Sequence, residues 1–174
     1  MPPEIKRILY ATDLSPNATY AMRYANMIAR QNDAHVVILH VIEKMSATVQ
    51  ALLSSYLDKD QLEARSQAAV DYQIERIRKR LDLLCEKECV YDPDLVRRVE
   101  KIEVREGFPA DEILKEADAI DSDLIVMGTH GKGPLENTFV GSMAQRVMRR
   151  SRRPIFVVPL PTDPGDITIE EAPA

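Results

Sequence analysis

The sequence predicts an α/β domain with a five-stranded, parallel, doubly wound sheet and helices on both faces. Three observations predict it. Short apolar runs alternate along the chain with segments whose apolar residues recur at helical spacing. Two of those runs, at 34–41 and 124–127, are nearly continuous rather than alternating, as expected of strands buried on both faces of a parallel sheet. A glycine-rich loop follows the fourth strand and leads into the last helix, the usual place for a ligand in such sheets.

The first strand is the run Ile8-Leu9-Tyr10-Ala11, ended by Thr12-Asp13, and Ser15-Pro16 then supplies a helix cap with proline in the first turn. Ala18, Ala21, Met22, Ala25, Ile28 and Ala29 give that helix its apolar face. Asn32-Asp33 interrupts it, and 34–41 reads as the second strand, so the chain opens with a βαβ unit whose crossover is expected to be right-handed. Val70, Ile74, Ile77, Leu81 and Leu84 then recur at alternating steps of four and three, which predicts one long amphipathic helix. This stripe covers about two heptads, fewer than a coiled-coil seam requires, so packing against the sheet is expected. Residues 45–59 read as either a short helix or a mobile loop.

The third strand, 101–106, alternates Ile102 and Val104 with Glu103 and Arg105, a half-wetted pattern that suits a sheet edge. Gly107 and Pro109 lead into a helix carrying Ala110, Ile113, Leu114, Ala117 and Ile120 on one face, ended by Asp121-Ser122-Asp123. Leu124-Ile125-Val126-Met127 is the fourth strand, a helix over about 141–151 follows, and Ile155-Phe156-Val157-Val158 is the fifth. Residues 1–160 thus form a single domain, and 161–174 form a loosely held acidic tail containing Asp163, Asp166, Glu170 and Glu171 and no basic residue.

Composition narrows the function. A chain of 174 residues normally makes one domain, and 23 basic against 28 acidic side chains leave a formal charge of −5. Such a surface has no general attraction for nucleic acid or anionic lipid, so neither is expected as a partner. No apolar run approaches the ~20 residues of a membrane span, and the opening residues lack the pattern of a signal peptide. Cys85 and Cys89 are too few for a secreted disulfide framework, and a cytoplasmic protein is expected.

The loop 128–133 holds three glycines, which allow positive φ and close backbone approach, so that amides can converge on an anion at the amino end of the next helix. There Gly141 would clear space for a phosphate oxygen and the Ser142 hydroxyl could donate to it. The alternative is that Gly128 and Gly131 serve a tight turn and Ser142 caps its helix. Neither the Walker A pattern nor G-x-G-x-x-G applies, because Lys132 precedes its glycine and Glu136 stands where a third glycine is needed. What is present is Gly128-x-x-Gly131, nine residues, then Gly141-Ser142.

That spacing resembles the ATP-binding branch of the universal stress protein family. The opening 8–15, Leu39-His40-Val41, the run 123–131 and the closing 153–159 fit the family in order, while 45–99 is generic. The resemblance implies a flavodoxin-like sheet in the order 3-2-1-4-5, an adenine nucleotide (ATP, ADP or AMP), magnesium held mainly through the phosphates, and a homodimer built through the last strand. It would place the triphosphate on Gly128, Gly131, Gly141 and Ser142, with Met127 and Met143 walling the site and Val41 meeting the adenine. Asp13 would face the sugar or the metal-phosphate side, or else simply hydrogen-bond the helix start at Ser15. Ala11 stands where some relatives have proline.

The function expected is a nucleotide-dependent regulatory module in stress response, with slow or no hydrolysis and a protein partner that the sequence does not identify. A nucleotidyl- or phosphotransferase on the same architecture is the alternative. No residue is assigned a catalytic or metal-ligating role: His130 lies in the loop, His35 is expected to be exposed and His40 to be satisfied within its strand. Cys85 and Cys89 share one side of the long helix as reduced thiols, a metal pair being incomplete without further ligands. Arg146, Arg149, Arg150, Arg152 and Arg153 offset the negative end of the last helix, with the acidic tail as possible partner and docking of an acidic protein as the alternative.

Overall fold

The structure is a computed structural model that describes residues 4–44, 59–90, 92–129 and 140–159. Its elements are β1 (Arg7–Thr12), α1 (Pro16–Asn32), β2 (His35–Glu43), α2 (Lys59–Glu88), α3 (Leu95–Arg98), β3 (Val99–Gly107), α4 (Pro109–Ala119), β4 (Leu124–Gly128), α5 (Ser142–Arg150) and β5 (Ile155–Val158). The five strands form one sheet in the order β3-β2-β1-β4-β5, every adjacent pair parallel. Leu9 lies opposite both Val37 and Ile125, which puts β1 at the centre.

The period of two along each strand divides the interior. Ile8, Tyr10, Val36, Ile38 and Val126 face α1, α2 and α3, whereas Leu9, Ala11, Val37, Leu39, Ile125 and Met127 face α4 and α5. The winding explains this division. The chain first moves outward from β1 to β3 and then returns across β1 to β4 and β5; right-handed crossovers in opposite directions must cover opposite faces.

Local chemistry sets the element ends. Ser15 caps α1 by accepting from the Ala18 N–H, with Pro16 in the first turn, and Asp33 ends the helix in the left-handed region with its N–H on the Ala29 carbonyl. At the amino edge of the sheet, Asp123 Oδ2 accepts the N–H groups of Lys6 (2.8 Å) and Arg7 (2.9 Å), fastening the entries of β1 and β4 together. On the α1 side, Arg23 forks onto both oxygens of the buried Glu88 at 2.9 and 3.1 Å. Asn26 donates to Asp92 and accepts from Arg98, which also pairs with Asp92.

The short helix α3 was not expected from the sequence; Leu95 holds it, 2% exposed against the α1-side core. Strands β1, β2 and β3 run a few residues longer than their apolar runs, because the ladder continues through polar Arg7, Thr12, Glu43 and Gly107. As expected, β3 is an edge strand and α2 packs on the sheet rather than on a second long helix. Cys85 is buried on α2, and Cys89 lies one residue beyond the helix yet still donates its N–H to the Cys85 carbonyl, so both reach one core. His35 is exposed. The expectations for 45–58 and for the tail fall outside the described residues. Among the described residues no helix is long and apolar enough to cross a membrane.

Candidate functional site

Strands β1 and β4 are neighbours whose following connections leave in opposite directions, so a crevice opens beyond their carboxyl ends. It encloses about 260 Å³. Ala11, Asp13, Val41, Met127, Gly128, Gly141, Ser142 and Met143 all line it. Gly131, His130 and Lys132 lie outside the described residues.

The β1 side is a tightly bonded turn. Thr12 Oγ1 accepts the Leu14 N–H at 3.1 Å, and Asp13 Oδ1 accepts both the Ser15 N–H at 3.0 Å and the Ser15 hydroxyl at 2.6 Å. These bonds hold the buried Leu14 at φ 62, a left-handed conformation that costs a residue bearing a Cβ on the order of 1 kcal/mol. From β2, buried His40 brings Nδ1 within 2.8 Å of the Thr12 carbonyl, so that nitrogen carries the proton and donates. Asp13 therefore bonds the helix start and lines the crevice at once: Oδ1 serves Ser15, and Oδ2 has no partner among the described residues. Beneath the turn, the Tyr10 hydroxyl donates to the Ala18 carbonyl, and burial pushes its pKa well above the usual phenol value.

The β4 side ends in a neck. The Thr129 N–H donates to the Val158 carbonyl at 2.9 Å, and the Gly141 N–H donates to the Thr129 carbonyl at 2.7 Å. Gly141 precedes α5 at φ −64 and ψ 157, and no described glycine has a positive φ, so Gly141 does not stand there for a left-handed turn. Its amide is already engaged by Thr129. The groups that open α5 on the crevice side are instead the N–H of Ser142, Met143 and Ala144, the first-turn amides of the helix, which have no acceptor among the described residues. Gly141 holds the cap position of α5 and Ser142 is the first helical residue, so the serine is not the residue at the cap.

The remaining walls divide by polarity. Leu39, Val41, Pro109 and Ile113 make an apolar slot at one end; Thr12, Asp13, Thr129 and the head of α5 make a polar one. Asp13 is the only titratable side chain among the described lining residues, and among these the positive potential comes from the amino end of α5. Thr12, Thr129, Leu39, Pro109 and Ile113 went unselected in the sequence. For Leu39 a signal exists, since it precedes Val41 by two on the same face of β2. Pro109 and Ile113 reach the site only because α4 starts at the carboxyl end of β3 and crosses β1, which spacing along the chain does not reveal. Among the described residues no group of three or more His, Cys, Asp or Glu side chains is arranged to hold a metal ion.

Comparison with known proteins gives a consistent result. A sequence model described as the universal stress protein family matches residues 4–159. The universal stress protein MJ0577 of Methanocaldococcus jannaschii is 28% identical over 164 residues, covering 88% of this chain and 94% of that protein. A second from the same organism, MJ0531, is 32% identical over 159 residues, covering 90% and 83%. The solved structure of MJ0577 superposes with a TM-score of 0.63 at 25% identity, covering 91% of this chain and 99% of that one. A universal stress protein solved in complex with cAMP has the same fold, with a TM-score of 0.52 at 20% identity over 89% and 97% of the two chains.

Proposed function

Because this chain belongs to the universal stress protein family, we propose that its crevice takes an adenine nucleotide, ATP foremost, and that occupancy regulates what the protein binds. The observation that carries this reading is the pairing, in one crevice, of an apolar slot with the first-turn amides of Ser142, Met143 and Ala144, which have no partner among the described residues. An adenine fits between Leu39, Val41, Pro109 and Ile113. Phosphates at the other end meet three N–H groups and about half a positive charge from α5. Asp13, on the polar side of the crevice, would offer Oδ2 to a ribose hydroxyl or to a metal on the phosphates. The volume of about 260 Å³ lies just below the ~300 Å³ lower end of ordinary ligand sites, which suits a nucleoside with its phosphates extending over α5.

Magnesium would come with the nucleotide, since this cation takes phosphate oxygens and one or two carboxylates rather than an all-protein cage; it would offset charge on the phosphates. The same reading takes binding, with slow or no hydrolysis, as the function; Asp13 is the lone titratable side chain among the described lining residues. The homodimer belongs to the same reading. β5 is an edge strand with Phe156 39% exposed against Tyr24, and pairing with a second copy would cover both.

Calorimetry with ATP, AMP and adenosine, each with magnesium, tests the reading. ATP is expected to bind more tightly than adenosine. Equal affinities would remove the phosphate role of α5, and absence of any binding would overturn the proposal. Rapid metal-dependent transfer to an acceptor would instead select a phosphotransferase.

A further inference from the structure

Along α5 and just beyond its end, away from the crevice, Arg146, Arg149, Arg150, Arg152 and Arg153 fall within eight residues, all but Arg153 exposed. This surface already takes carboxylates: Arg150 pairs with Asp111, and Arg153 donates to Asp121 at 2.8 Å. Arg146, Arg149 and Arg152 have no carboxylate partner among the described residues. Between α4 and the start of β5, Leu114, Asp118 and Arg150 to Arg153 line a polar hollow of about 280 Å³.

We propose that this cationic face is the docking site of the chain's own acidic segment, residues 161–174. That segment carries Asp163, Asp166, Glu170 and Glu171 with no base, so it complements the arginines in charge. The lengths agree. The segment departs just beyond β5, whose 4 residues span about 13 Å, and 14 extended residues reach up to about 46 Å. It therefore has ample length to double back, and Pro164-Gly165 suits a reversal. Tethering holds the carboxylates at a high effective concentration over this face, so weak surface pairs suffice to populate the contact. The docked segment is then an intramolecular competitor for any acidic partner of this face.

A second cationic stretch, Arg76, Arg78, Lys79 and Arg80, is also exposed, on α2 beside β3 at the opposite edge of the sheet from β5; the face at α5 is favoured because it adjoins the strand from which the segment departs and already binds carboxylates.

A nitroxide placed on the full chain at Ala172→Cys, in a Cys89→Ser background, tests it by relaxation of backbone amides. Buried Cys85, its thiol pushed up to about 12, resists labelling. Strong loss of amide intensity is expected across 146–153 at low salt. It should disappear at about 0.5 M salt, where screening acts within a few Å, and in Arg149→Glu with Arg152→Glu. The double variant's unchanged amide spectrum elsewhere would show that it remains folded. Loss confined to residues beside Pro159, loss centred on 76–80, or loss that grows with protein concentration would each overturn the proposal.

Discussion

Ser15 does two things with one hydroxyl, donating to Asp13 and accepting from the Ala18 N–H. Ser15→Ala should lower stability by about 1 kcal/mol through the lost cap, read as an earlier urea midpoint at unchanged slope, and should loosen Asp13; Ser15→Thr should restore most of both. Cys85 gives a pH dependence with a definite sign. Burial raises its pKa from 9.0 to about 12, so between those values the unfolded thiol loses its proton while the native one keeps it. Stability must then fall as pH rises through that window, by up to about 1.4 kcal/mol per pH unit. Tyr10, shifted upward by burial, adds a second loss beginning near its ordinary value of 10.0. Urea midpoints at pH 7, 9, 10 and 11 check this: a decline that starts only beyond pH 10, unaltered by Cys85→Ala, would remove the cysteine contribution.

The elements show where reading a sequence succeeds. β1, β2 and β4 were legible because burial on both faces writes an unbroken apolar run, and α1 because serine, proline and a helical stripe agree on one start. α3 was not, since its four residues carry a single buried apolar side chain and are held by a polar network from distant segments. The same holds at the site. Asp13, Gly128 and Gly141 follow strands or precede a helix, and their positions announce a crevice. Pro109 and Ile113 depend on where α4 returns across the sheet. The engagement of the Gly141 amide by Thr129 is a hydrogen-bond fact that no spacing encodes. The polar clamp makes its own prediction: Arg98→Ala removes the cation beside the half-buried Asp92 while leaving Asn26 as its donor, and should cost about 2 kcal/mol. Hydrogen exchange should show the loss first in α3 and the end of α2.

For the molecule as a whole, the sheet order places a rigid five-stranded platform beneath a crevice bounded by segments from both halves of the chain. A nucleotide bound there should stabilise the entire fold. At 100 times its dissociation constant the gain is about 2.7 kcal/mol, visible as a rise in melting temperature with ATP that adenosine only partly reproduces. Light scattering at micromolar concentration checks the pairing of β5 edges; a monomer at that concentration would count against it.

The bond from Gly141 to Thr129 has a consequence for change over time. It pins both ends of the stretch 130–140 beside β5, so the walls on either side need not feel how long that stretch is. Doubling the stretch should cost only about 0.6 kcal/mol in closure entropy. The ends of the connection are thus set by the frame itself, so an insertion of several residues between Thr129 and Gly141 should leave the walls of the crevice in register.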